Sequence, residues 1–229
     1  RRTREYLSAY SPRRHPYDAK KCWKETASGE MILLRDAAYE LGGGNCESVN
    51  YTCATSDQEL LMENEILLFG EDLPELKQDT SFARIVFLRT DAADNFEGEE
   101  ELYRFVRELE YVRYHIFPKG YMVRTSAKSS REQARVSKDA IGAGINFERL
   151  GSTYIRKYLK NPRVRNVQVL FLTGMKELEP FLKEAQQTDA VTGALNHILQ
   201  GMPMNCKTCD LKTICDEVDG MRSLHQKNR

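Results

Sequence analysis

The segment Val167–Leu172 is a near-continuous run of apolar residues interrupted only by Gln168. Six residues are too few for a helix to bury, and a half-exposed strand would alternate. Such a run is expected to form a strand covered on both faces, so the chain must build layers around a sheet. Upstream, Ser48–Cys53, Glu65–Phe69 and Phe82–Leu88 read as further short strands, and Met31–Arg35 as a fourth. Gly42, Gly43, Gly44 and Asn45 form a turn between two of them. Residues 97–115 place Leu102, Phe105, Val106, Leu109 and Val112 at helical spacing beside an acidic face. Tyr121–Arg124 and Arg135–Ser137 are short extended stretches flanking a polar loop, Ser126–Arg131. Phe147–Lys160 predicts a helix stopped by Asn161-Pro162. Met175–Gln187 and Asp189–Gln200 predict two more. Strands first and helices later, with one crossover, imply an α+β (mixed α/β) fold.

Length supports one substantial core with an appendage: 229 residues, 41% apolar and 30% charged. No apolar run approaches the ~18 residues needed to span a bilayer, so no membrane partner is expected. Net charge is zero, but its distribution is uneven. Residues 1–24 hold eight Arg/Lys against two acids, residues 57–79 hold eight acids against one Lys, and residues 113–165 hold thirteen bases against three acids. The first stretch reads as a basic arm with Trp23 as its anchor, ordered only where it docks. Residues 25–200 read as the α/β domain and 201–229 as a cysteine-rich appendix. The 113–165 stretch is either a solvated face or an anion site.

Three of six cysteines fall in the run Cys206-Lys-Thr-Cys209-Asp-Leu-Lys-Thr-Ile-Cys215. Thiolates at this spacing can turn onto one metal centre, an iron–sulfur cluster or a structural zinc with His225 as fourth ligand. Six cysteines are too few for a disulfide scaffold of this size, which points to a reducing, cytoplasmic compartment. Cys22, Cys46 and Cys53 are isolated and read as small buried hydrophobes. His15 and His197 have no companions at ligand spacing. Some DNA-processing nucleases close a cluster with the same spacing, but they need an Asp and a Glu-x-Lys on adjacent strands. No such pair stands out, and nucleic acid is not expected as a partner.

Several words of the sequence resemble the central part of acetyl-CoA synthase, the nickel–iron–sulfur partner of carbon monoxide dehydrogenase. These are Gly43-Gly44-Asn45, Phe69-Gly70-Glu71-Asp72-Leu73, Asn95-Phe96-Glu97-Gly98, Arg135-Val136-Ser137-Lys138-Asp139-Ala140 with Gly142 and Gly144, and Val167–Thr173. They run in the same order over roughly residues 25–220. The resemblance implies an enzyme that joins a corrinoid-borne methyl group, CO and coenzyme A into acetyl-CoA. Its cofactor is a 4Fe–4S cluster bridged through a cysteine sulfur to nickel. By position, Cys206, Cys209 and Cys215 would be cluster ligands and Cys209 the bridge to nickel, while His225 stands where the family has its fourth cysteine. The gap between Cys209 and Cys215 is shorter than the family's. The family's distal-nickel Cys-Gly-Cys belongs to a C-terminal domain, so this chain alone is not expected to be active. The carbon monoxide dehydrogenase subunit, a corrinoid iron–sulfur protein and that nickel-binding domain are the implied partners. The resemblance also implies coenzyme A binding on the cationic stretch, with Arg131, Arg135 and Lys138, and also Arg156, as expected phosphate contacts. A non-catalytic iron–sulfur or zinc accessory domain that docks on a larger partner is the alternative reading.

Overall fold

The computed structural model describes residues 2–27, 29–92, 95–126 and 129–199. In chain order these form α1 (Arg2–Leu7), β1 (Arg13–Pro16), β2 (Ala37–Leu41), β3 (Ser48–Thr55), β4 (Glu65–Phe69), β5 (Phe82–Thr90), α2 (Glu99–Tyr114), β6 (Tyr121–Thr125), β7 (Glu132–Ser137), α3 (Lys138–Gly142), α4 (Phe147–Tyr158), β8 (Val164–Thr173) and α5 (Glu179–Leu199). The fold is mixed α+β, as the order of elements implies. Five strands make one sheet in the order β1-β4-β8-β5-β3, and three make a second in the order β2-β7-β6. The large sheet is mixed: β4 runs parallel to β8 and β5 antiparallel to it. The small one is antiparallel throughout.

The apolar run of β8 has the expected cause. Val167, Val169 and Phe171 face one core, with Ile66, Leu68, Phe82, Val86 and the inner side of α4. Leu170 and Leu172 face the other, with Val49, Tyr51, Ile85 and Phe181 of α5. Each side chain removed from water in this way contributes roughly 1.5–3 kcal/mol. Phe82, Phe147 and Phe171 stack on one another between sheet and helix. Asn146 caps α4 by accepting from the Arg149 N–H at 2.9 Å. Gly151 lets that helix lie directly on the Ile66 side chain, where a Cβ would collide.

Several elements differ from the sequence expectation. Met31–Arg35 is not a strand; it leads into a single 3-10 turn at Leu34–Asp36, and β2 follows it. Met31 and Leu34 stay exposed there, so their apolar character reflects no sheet. The two helices expected over 175–200 are one, α5, starting at Glu179. No glycine or proline separates Gln187 from Asp189. Thr188 instead donates to the Glu184 carbonyl at 2.8 Å, one turn back in the same helix. The strands flanking α3 and α4, β7 and β8, belong to different sheets. The basic N-terminal stretch is docked: α1 lies on α5, β1 pairs with β4, and Trp23 is buried. The Trp23 indole N–H donates to the Lys119 carbonyl at 2.7 Å.

One buried ion pair joins the sheets. Arg84 of β5 and Glu132 of β7 both have fully enclosed side chains and meet in two hydrogen bonds of 2.8 and 2.5 Å. Burial works against the charge on Arg84, but Glu132 more than offsets it, and the guanidinium titrates above its ordinary value. The Tyr154 ring lies 4.3 Å below it, a cation–π contact. Thr125 of β6 also donates to Glu132, at 2.8 Å. Removing one partner leaves the other buried and uncompensated, so Glu132→Ala should cost ~3–5 kcal/mol in urea denaturation. The paired change Arg84→Met with Glu132→Leu should restore much of that loss. A single substitution without measurable effect would contradict this account of how the sheets are joined.

Candidate anion site

Directly above this ion pair, where β2 passes into β3, the chain turns through Gly42, Gly43 and Gly44. The geometry demands glycine at the first position. Gly42 has φ +62°, and a methyl there would meet the Glu132 carbonyl oxygen at 2.6 Å and press on Ser48. A Cβ on Gly43 would press on the Glu40 carboxylate and would lie 2.8 Å from the Gln133 side-chain amide. The turn is therefore pulled down onto β7, which leaves an open cleft of about 350 Å³ beside it.

The cleft is lined by Gly42, Gly44, Ser48, Arg124, Thr125, Ser126, Arg131 and Gln133. It contains no carboxylate and no aromatic ring. Arg124 comes from the outer strand β6 and Arg131 from the residue before β7. Arg131 donates to the Cys46 carbonyl at 3.0 Å and approaches the Ser48 hydroxyl at 3.5 Å. Among the described residues, neither arginine has a carboxylate within ion-pairing distance. Six other cations of the stretch pair with carboxylates: Arg113 with Asp189, Arg135 with Glu40, Arg156 and Lys157 with Glu25, and Arg163 and Arg165 with Asp91. Lys119, Lys138, Arg149 and Lys160 also lack a carboxylate partner among the described residues, but they do not line the cleft. Two uncompensated guanidinium groups over a floor of hydroxyls and a side-chain amide can hold an anion of about two charges. The Thr125 hydroxyl gives its proton to Glu132, so Ser48, Ser126 and Gln133 are the neutral donors.

The four basic residues expected to contact phosphate do not gather. Arg131 lines the cleft. Arg135 is bound to the Glu40 carboxylate, with its Nε 2.6 Å from Oε1, and donates to the Ile32 carbonyl at 2.7 Å. Lys138 donates to the Arg35 carbonyl at 3.0 Å. Arg156 pairs with Glu25 at 3.5 Å. Arg124 was not singled out, because nothing near it in sequence shows that its charge is unmatched. Cys206, Cys209, Cys215 and His225 lie outside the described residues. Among those described, no three His, Cys, Asp or Glu side chains cluster as a metal site. Cys22, Cys46 and Cys53 are half-buried free thiols rather than fully enclosed ones. Burial raises the Cys22 thiol, which donates to the Ser152 carbonyl at 3.3 Å.

Two of the sequence words that carry the resemblance, Phe69–Leu73 and Val167–Thr173, lie side by side. Thr173, ending β8, donates to the Glu71 carbonyl at 2.7 Å, and Asp72 accepts from the Phe147 N–H at 2.8 Å. Gly70, at φ +103°, packs against Thr173 so closely that no side chain fits. No protein-family model matches the chain, and no curated protein matches it either. No helix among the described residues is long and apolar enough to cross a membrane.

Gly42→Ala should push the turn away from β7. Its positive φ and the contact with the Glu132 carbonyl together should cost more than ~1 kcal/mol in thermal or urea unfolding. Gly44→Ala shares a positive φ but has open space around its Cβ position, and its cost should be the smaller of the two.

Proposed function

We infer that this chain is the coenzyme-A-binding region of an acetyl-CoA synthase or a shortened relative, acting in the cytoplasm. The reading rests on one observation above the others: among the described residues, Arg124 and Arg131 stand without acidic partners in a small, polar cleft beside the glycine turn. A 3′-phosphate or a pyrophosphate supplies the charge those groups lack, and the Ser48, Ser126 and Gln133 donors suit phosphate oxygens. The collinear sequence words extend the reading from an anion site to the synthase. At about 350 Å³ the cleft is at the small end for organic ligands. It would take a phosphate-bearing end of coenzyme A and leave the thiol outside.

The thiolates of Cys206, Cys209 and Cys215 would supply the first iron–sulfur ligands, with His225 as a possible fourth. The donor set suits a 4Fe–4S cluster or zinc. It does not make up the two-nickel unit, which needs the C-terminal nickel-binding domain. Acetyl-CoA formation would then require that domain, the carbon monoxide dehydrogenase subunit and the corrinoid iron–sulfur protein. The three-cysteine spacing by itself also favours a simpler accessory role, as an iron–sulfur or zinc domain docked on a larger partner.

Calorimetry with coenzyme A tests the first reading. Arg124→Ala and Arg131→Ala should each weaken binding by ~1–3 kcal/mol, the scale of a charged hydrogen bond. Absence of binding by the parent chain would remove the coenzyme A assignment. Anaerobic reconstitution with iron and sulfide tests the second component. A brown protein with a broad cluster absorbance is expected, and its loss in Cys209→Ser. A colourless chain holding one zinc would exclude the cluster and leave the accessory role.

A further inference from the structure

Arg131 lines the cleft, and the residue before it holds an unusual backbone conformation. Ser130 has φ +50°, the sole non-glycine residue with positive φ among those described, and it is buried. A conformation of this kind persists only where its surroundings over-determine it. Here a closed ring of hydrogen bonds does so. The Ser130 hydroxyl donates to one oxygen of Asp189 on α5. The other Asp189 oxygen accepts from Arg113 Nη1 at 2.7 Å. Arg113 in turn grips Asn50 of β3, its Nε on the side-chain oxygen and its Nη2 on the carbonyl, each at 2.6 Å. The Asn50 N–H closes the circuit on the Ser130 carbonyl at 2.7 Å. Arg113 is buried and Asp189 is only partly exposed, so water competes weakly for these bonds.

We propose that Asp189 is a positioning residue for the anion cleft: through Ser130 it fixes where Arg131 points, so that helix α5 sets the affinity of a site it does not touch. The inference rests on the phosphate-site reading and adds to it a residue some sixty positions away in sequence. Arg124 supplies an internal control. It sits on β6, outside the ring, and shares the ligand with Arg131 without sharing its support. Loss of Asp189 therefore should act on one arginine and spare the other. A general loosening of the fold would affect both alike.

The test is a double-mutant cycle on the whole 229-residue chain, titrated with inorganic pyrophosphate and, in parallel, with coenzyme A. Asp189→Ala should weaken pyrophosphate binding at least ~fivefold, and Arg131→Ala should add less than ~twofold in that background, the non-additivity expected of coupled groups. Arg124→Ala should have its full effect in either background. Ser130→Ala removes the hydroxyl without touching Arg113 and should reproduce the Asp189→Ala pattern, which keeps the test open should Asp189→Ala fail to fold. Additive losses at Asp189 and Arg131, or equal coupling to Arg124, would overturn the positioning role and leave the phosphate site standing. A parent chain that binds pyrophosphate but not coenzyme A would remove the coenzyme A reading alone. A parent that binds neither would remove both.

Discussion

The Arg84–Glu132 pair is a fully buried polar link between two sheets that also share an apolar core. Arg84 projects from the same face of β5 as Phe82, Val86 and Leu88, into what is otherwise an apolar core. An isolated guanidinium there would be prohibitively costly, and Glu132 at the start of β7 is what makes the position tenable. Its geometry is demanding. The carboxylate must accept two bonds from Arg84 and one from Thr125, which fixes the register of β7 against β6 and the height of both above β5. An apolar contact between the sheets would tolerate sliding; this pair does not.

The cleft inherits its shape from that constraint. Gly42 rests on the Glu132 carbonyl, Thr125 is oriented by the Glu132 side chain, and Arg131 is the next residue back along the chain. The charge pattern follows from the same packing. Six of the thirteen cations of the 113–165 stretch find carboxylates brought in from distant segments, as when Glu40 meets Arg135. Arg124 and Arg131 are left facing an opening. Two guanidinium groups thus stand together in one cleft of a molecule whose net charge is zero, and a local potential of that kind attracts anions without making the whole protein sticky to them.

The parts of this fold legible in the sequence are those decided locally. Glu65–Phe69 and Phe82–Leu88 are strands because short β-branched and aromatic runs between turns have few alternatives, and the Asn161-Pro162 stop marks where α4 ends. What was not legible depends on pairing across long separations. Ala37–Leu41 lacks an alternating pattern because four of its five residues are buried, so β2 passes unnoticed while the apolar Met31–Leu34, of which only Ile32 is buried, attracts attention. Arg131 and Arg135 look equivalent as a sequence pair. Only the arrival of Glu40, ninety-five residues away, separates the occupied cation from the available one. The continuity of α5 was hidden for a related reason: a polar Gln-Gln-Thr-Asp stretch reads as a break, yet its Asp189 turns inward to Arg113.

The position of β8 bears on how the molecule is made. It is the last strand among the described residues and the middle strand of the large sheet, flanked by β4 and β5. As the polypeptide leaves the ribosome, the antiparallel β1–β4 pair and the parallel β3–β5 pair emerge with open inner edges and nothing between them. Only once Thr173 has been synthesised can the intervening strand slot in and zip both sides at once. Until then the nascent chain carries two adhesive borders, a period in which a chaperone has most to protect and a stall in translation does most harm.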